Sequence, residues 1–311
     1  MYNEECVSFA NKNGLILRGI LHKHNSNENK KVTLICLNTG LNDMVGWHRI
    51  QVKIARYLAG KGFNILRFDD TGIGDSEGEI LENSIVKIFS DIESGLFVPN
   101  ADSAVSYIKK ELPNDKIIYL GFCGGGLTAV HSAVNNKNVV GVINIGGPIT
   151  LSSKDYLQKT DPWEVKKNVN KYKSKFFQLG PWIRFFTGQG EYSNITRSLI
   201  HYIKHKISGE YKDRSIQSKE HSKDKNLNVK FFNSYEEYIK SKRPILFYFA
   251  EIDAATWEFK KYFFNKYKNT KFWPENLVDF FEIIKANHIF SDLDSQEQMK
   301  HDILKWLQQF T

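Results

Sequence analysis

The amino-acid sequence predicts an α/β fold, with a mostly parallel β-sheet covered by helices on both faces. Three observations predict it. Short apolar runs alternate with helix-spaced segments through the first half of the chain. Several of these runs are mostly apolar along their length, as strands buried on both faces are, rather than alternating in character. Glycine-rich turns follow several of the runs, as strand–helix connections require.

The elements follow in order. Strand signals over 6–10 and 15–24 flank Asn11-Lys12-Asn13-Gly14, a hairpin turn signal. Residues 25–30 read as a polar loop and 32–37 as a buried strand. Residues 50–59 carry helical spacing that stops at Gly60-Lys61-Gly62, and 63–68 form the next buried strand. One long amphipathic helix is expected over 91–112, closed by Pro113. A strand over 117–122, a helix over 124–134 and a strand over 139–145 follow, ending at Gly146-Gly147-Pro148.

The rhythm then breaks. Residues 150–243 are polar, basic and rich in aromatics such as Tyr156, Trp163, Tyr172 and Trp182, with helical spacing over 195–207 and a polar stretch over 212–225. Sheet character resumes over 244–250, followed by a helix over 257–267, a strand over 278–284 and a final helix over 295–310. No internal repeat or low-complexity tract interrupts this order. The expected organisation is a core of 1–149 and 244–311 with an inserted lid of 150–243. A hairpin lead-in, βα units and a long insertion before the last two strands are the layout of the α/β-hydrolase fold.

Composition bounds the function. The 311 residues suffice for one large domain carrying an insertion, and 41% hydrophobic with 25% charged residues is ordinary globular usage. No apolar run approaches the roughly 20 residues that span a bilayer. The first residues, Met1-Tyr2-Asn3-Glu4-Glu5, lack the basic and apolar regions of a signal peptide. Three cysteines, Cys6, Cys36 and Cys123, without export signals predict reduced thiols in a cytoplasm. The net charge is +8, while residues 150–243 alone hold 20 Lys+Arg against 10 Asp+Glu. The insertion therefore carries all the excess positive charge. It reads either as a solvated face or as a docking face for an acidic partner. No nucleic-acid-binding module accompanies it, so no nucleic-acid partner is expected.

The chemistry centres on Gly121-Phe122-Cys123-Gly124-Gly125, between a predicted strand and a predicted helix. That is the context of a nucleophile elbow. The turn forces its central residue into a strained conformation, and glycines on either side, Gly121 and Gly125, leave the crowded backbone room. Cys123 then stands at a helix N-terminus, where the helix dipole favours a thiolate. An acid and a base should follow in chain order. Asp253 follows the strand over 244–250, and His288 follows the strand over 278–284. His288 is the expected base and Asp253 its orienting acid, with Glu251 as a rival acid and helix capping as another role for Asp253. Oxyanion donors are expected at the N–H of Gly124 and at the N–H of Leu41 in the loop after the 32–37 strand, with Gly40 the rival to Leu41. No Cys/His cluster has zinc spacing, so neither a metal nor a cofactor is expected.

Two further tracts stand out. Residues 67–78, Arg67-Phe68-Asp69-Asp70-Thr71-Gly72-Ile73-Gly74-Asp75-Ser76-Glu77-Gly78, are rich in carboxylates and glycines, but no Gly-Lys-Ser/Thr follows as in a phosphate loop. They read as a structured loop in which Asp69 bonds the loop backbone. Gly46-Trp47-His48-Arg49 opens the first covering helix; His48 and Arg49 are candidates for the pocket mouth or for capping.

The layout resembles the α/β-hydrolase superfamily, in particular its serine aminopeptidase-like and dienelactone hydrolase-like branches. Gly46-Trp47-His48-Arg49, Ala55-Arg56-Tyr57-Leu58-Ala59 and the tract from Leu66 to Gly78 resemble the exosortase A system-associated hydrolases, which tend to carry cysteine in the elbow. Thr71 departs from that pattern, which usually has arginine there. The elbow string also resembles those of polyhydroxyalkanoate synthases and of cysteine acyl shuttles in nonribosomal peptide assembly. The resemblance implies acyl chemistry. An ester or thioester would be cleaved through an acyl-Cys123 intermediate, or its acyl group passed to another thiol or amine. A coenzyme A or acyl-carrier-protein donor would suit the basic insertion. A non-catalytic binding protein on the same fold is a third class.

Overall fold

The computed structural model describes residues 2–25, 28–80, 82, 84–152 and 227–311. The chain divides into two units, Met1–Ser152 with Asn226–Thr311, and Ser153–Lys225. The second unit lies outside the described residues, and with it the helix expected over 195–207, the polar stretch 212–225 and most of the aromatic, basic insertion.

The first unit is built on an eight-stranded sheet of order β1-β2-β4-β3-β5-β6-β7-β8. Strands β1 (Tyr2–Ala10) and β2 (Ile16–His24) form an antiparallel hairpin, and β2 pairs antiparallel with β4 (Asn64–Phe68). All other pairings, through β3 (Val32–Leu37), β5 (Lys116–Phe122), β6 (Val139–Ile145), β7 (Ile245–Ile252) and β8 (Val278–Asn287), are parallel. This is the expected mostly parallel sheet. Every residue of β3 and β4 is buried, Thr33, Asn64 and Arg67 included, which explains why those runs are mostly apolar and do not alternate.

Strand alternation sends side chains to two cores. Ile35, Leu37, Tyr119 and Phe247 face one core with helices α3 (Val98–Glu111), α4 (Gly124–Asn135) and α5 (Val229–Lys240). Leu34, Cys36, Leu120 and Tyr248 face the other, with α1 (Ile50–Ala59) and the C-terminal helix Leu293–Leu307.

Two expectations change. The single helix over 91–112 is two helices, α2 (Ile85–Glu93) and α3. The chain turns at Gly95, whose φ of 97° suits glycine, and Pro99 fits the first turn of α3, where its missing N–H costs nothing. The insertion also ends earlier than 243. Helix α5 buries Phe231, Tyr235 and Tyr238 in the core, so its residues belong to the first unit. Thr150 and Leu227, on either side of the undescribed segment, are joined by an antiparallel bridge.

Candidate active site

Strand β5 and helix α4 meet at Cys123, which adopts φ 49° and ψ −118°. A non-glycine residue holds this left-handed backbone only where its surroundings enforce it. Here they do: the Cys123 N–H donates to the Ile145 carbonyl at 2.8 Å, and the Cys123 carbonyl accepts from Gly126 at 2.9 Å. The flanking glycines are required by contact distance. A Cβ on Gly121 would lie 2.1 Å from the Gly125 carbonyl oxygen, and one on Gly125 would lie 2.5 Å from the carbonyl oxygens of Leu37 and Asn38. Gly126 is constrained in the same way by the Asn144 side chain, which also accepts from Gly147 N–H at 3.0 Å. The strand-to-helix turn is thereby closed against β3 and β6.

Asp253 follows β7 directly and His288 follows β8 directly, so both emerge at the carboxyl edge of the sheet beside the elbow. Asp253 Oδ2 lies 2.7 Å from His288 Nδ1. The other oxygen, Oδ1, accepts from Ala255 N–H at 3.1 Å and caps the helix Ala254–Glu258. The two roles considered for Asp253 are thus performed by different oxygens of one carboxylate. Glu251 points elsewhere: its carboxylate accepts from Lys285 N–H at 2.8 Å. Burial disfavours charge on the imidazole, but the interactions with Asp253 and Cys123 outweigh burial and raise His288 to about 10. The geometry therefore favours a charged imidazole beside the thiol.

The loop after β3 abuts the elbow. The Gly40 nitrogen lies 3.6 Å from the position a Cβ on Gly124 would take. Leu41, the next residue, packs half-buried against Ile73, Ile88, Ile92 and Phe97. Neither Gly40 nor Leu41 donates a backbone hydrogen bond to the main chain of a described residue, and neither does Gly124. Helix α2 covers this corner, with Phe89 against Gly40 and Ile92 against Gly124.

The 67–78 tract is a loop scaffold. Asp69 accepts from Met44 N–H at 2.6 Å and from Asp75 N–H at 3.1 Å. Asp70 is buried, which pushes its carboxyl up to about 7 against a hydrogen bond from Asn100. His48 and Arg49 are exposed with left-handed backbone. Their neighbour Trp47, which sequence reasoning passed over, has its ring centroid 5.4 Å from that of His288 at an interplanar angle of 61°. Gly146 was also missed as a site residue. With φ 61°, it lies under the pair, so that a Cβ there would be 3.5 Å from His288 Cε1 and 3.9 Å from Asp253 Oδ2. The Gly146-Gly147-Pro148 string at a strand end was the available signal. Among the described residues, no group of three or more His, Cys, Asp or Glu side chains is placed to hold a metal ion. Among them, too, no helix is long and apolar enough to cross a membrane.

A strand–elbow–helix that presents one nucleophilic side chain above a parallel sheet, with an acid and a histidine after the last two strands, defines the α/β-hydrolase class. The chain belongs to the alpha/beta hydrolase fold family, which it matches over residues 32–295. A search of curated proteins finds no match. Among solved structures, an esterase of Pyrococcus furiosus superimposes with a TM-score of 0.59 at 16% identity, covering 99% of this chain and 93% of that one. A serine hydrolase without a lid from Xanthomonas campestris gives 0.54 at 11% identity, over 98% and 95% of the two chains. An alpha-beta serine hydrolase homologue from Coxiella burnetii gives 0.55 at 15% identity, over 99% and 98%. At these identities the likeness is one of fold. This chain carries cysteine, not serine, at its elbow.

Proposed function

We propose that the protein is an acyl hydrolase with a cysteine nucleophile, acting on an ester or thioester. The observation that carries this reading is the line from Asp253 Oδ2 through the His288 ring to Cys123, set on a strained elbow at a helix N-terminus. Asp253 holds Nδ1, which leaves Nε2 for the thiol. Cys123 Sγ gives its proton to His288 Nε2 and attacks the acyl carbon, forming the S–C bond while the carbonyl π electrons move to oxygen. The N–H of Gly124 with that of Leu41, or of Gly40 beside it, holds this oxyanion. The oxyanion collapses, the bond to the leaving oxygen or sulfur breaks, and His288 donates its proton to the leaving group. Water then attacks the acyl-Cys123 thioester, its proton passes to His288, the thiolate leaves, and the carboxylic acid is released.

Acyl transfer is the second reading, and the sulfur nucleophile supports it. An acyl-cysteine is a thioester, so exchange with a carrier thioester is nearly balanced in energy, whereas an acyl-serine ester is a poorer relay. The 20 basic residues of 150–243 support a donor of acidic character, such as a coenzyme A thioester or an acyl carrier protein. Intact-mass measurement on incubation with a panel of acyl thioesters tests both readings. An acyl adduct on Cys123, absent in Cys123→Ala, is the expected result. Release as free acid marks hydrolysis, and appearance on a second thiol marks transfer. Absence of any adduct, with Cys123 also inert to alkylation, overturns both.

A further inference from the structure

We propose that Trp47 is a positioning residue for His288, held in place by Arg67 and Asp69 through the backbone of Met44. This inference rests on the cysteine-nucleophile reading above and assigns work to two sequence tracts which that reading leaves idle.

The contact itself is direct. The indole and imidazole centroids are 5.4 Å apart in an edge-on arrangement. Edge-to-face aromatic pairs with centroids about 4.5–7 Å apart contribute beyond the area they bury. Trp47 is half-buried, so the contact is partly shielded from water. Three side chains therefore act on the His288 ring: Asp253 at Nδ1, Cys123 and the Trp47 indole. Asp253 and Cys123 are the titratable groups that face it among the described residues. Asp253 fixes one edge of the imidazole, and the indole restricts its rotation, which keeps Nδ1 against Asp253.

Trp47 reaches His288 because the backbone around it is unusual. Gly46 has φ 70°, His48 φ 49° and Arg49 φ 59°. Left-handed backbone at two non-glycine residues costs on the order of 1–3 kcal/mol each and persists only where the surroundings impose it. The segment carries a second cost. Gln51 is fully buried, and its carboxamide has no hydrogen-bond partner among the described residues. It lies against Gly46, with Nε2 3.5 Å from the position a Cβ there would take.

What imposes the conformation is the end of β4. The main chain of Met44 is gripped on both sides: Asp69 Oδ1 accepts from its N–H at 2.6 Å, and Arg67 Nη1 donates to its carbonyl at 2.7 Å. Both gripping side chains are buried. Gly46 N–H donates to the Asp43 carbonyl at 3.2 Å, and Arg49 N–H to the Gly46 carbonyl at 3.1 Å. A continuous set of contacts thus runs from the Arg67-Phe68-Asp69 string to the Gly46-Trp47 string and on to the imidazole.

The test needs no knowledge of the substrate. Alkylation of Cys123 by iodoacetamide, followed by peptide mass spectrometry from pH 5 to 10.5, reports on the Cys123–His288 pair. Peptide-level readout separates it from exposed Cys6. In Trp47→Leu the imidazole is held less firmly against Asp253, so its proton is lost at lower pH and the step in the rate profile that follows that loss moves down in pH. The expected result is that shift together with a rate at pH 7 about fivefold lower, a size in keeping with a single aromatic pair. Trp47→Phe, which keeps a ring, is expected to stay within about twofold of wild type. Asp69→Asn is expected to shift the same step in the same direction, and the double variant Trp47→Leu/Asp69→Asn to be no slower than the slower single one. An unchanged profile and rate in a folded Trp47→Leu protein overturn the proposal while leaving the nucleophile assignment standing. Wild-type Cys123 no more reactive than an ordinary thiol overturns both. Additive losses in the double variant overturn the anchoring by Asp69.

Discussion

Asp253 gives one carboxylate oxygen to His288 Nδ1 at 2.7 Å and the other to the N–H of Ala255 at 3.1 Å. The cap fixes the carboxylate's orientation, and the fixed carboxylate sets the tautomer and plane of the imidazole. A helix cap is therefore part of the geometry at the base. Glu251, two residues earlier on β7, instead accepts from the Lys285 N–H on β8 at 2.8 Å.

Asp253→Asn separates these functions. Asparagine still presents an oxygen to the helix but no charge to the imidazole. Turnover is expected to fall about 10²-fold or more, with thermal stability reduced by about 1 kcal/mol or less. Glu251→Gln is expected to retain near wild-type turnover. Steady-state rates on the best acyl substrate check both, and equal losses in the two variants would count against Asp253 as the acid.

The raised His288 value has a sign in stability. Its folded value, about 10, lies above the ordinary 6.5, so the folded protein binds the proton more tightly than the unfolded chain. The contribution is fully present below pH 6.5 and is lost as pH rises toward 10. Urea midpoints across that range should fall more steeply for wild type than for His288→Gln. Parallel slopes would show that His288 has no raised value in the folded protein.

Two glycine-to-alanine changes should differ widely. In Gly121→Ala the new methyl meets backbone at 2.1 Å, and the backbone of the elbow cannot yield without moving Cys123. Loss of several kcal/mol, or no folded protein, is expected. Gly14 has φ 80° but nothing within 4 Å of an added Cβ. Gly14→Ala should cost only about 1 kcal/mol, the left-handed backbone penalty. Chemical denaturation of both variants checks the contrast.

Asp69→Ala removes the buried acceptor of two part-buried N–H groups, those of Met44 and Asp75. A loss of about 1–3 kcal/mol in unfolding free energy is expected, since hydrogen bonds to a charged group contribute about 1.5–3 kcal/mol each and water replaces part of it. A change under 0.5 kcal/mol by urea titration would mean the loop rearranges freely.

The elbow was legible in the sequence because its constraint is local. Gly121, Cys123 and Gly125 are governed by contacts within one tight turn and its neighbouring strand, so the spacing of small residues carries the signal. Asp253 and His288 were legible because strand order places the ends of β7 and β8 next to the elbow. Helix α5 was partly hidden. Phe231, Tyr235 and Tyr238 have helical spacing, but their lysine- and aromatic-rich setting reads like the insertion that precedes them. The break at Gly95 was hidden because amphipathic spacing continues across it.

By itself the sequence determined the sheet-and-helix alternation, the strained turn at Cys123 and the chain order of its acid and base. All three follow from residue types acting over a few neighbours. The tertiary structure decided which oxygen of Asp253 meets His288, where Glu251 points, and that Trp47 lies on the imidazole. Those relations join segments far apart in the chain. They depend on backbone conformations, such as the left-handed residues 46, 48 and 49, that buried partners from other strands impose and that no local pattern encodes.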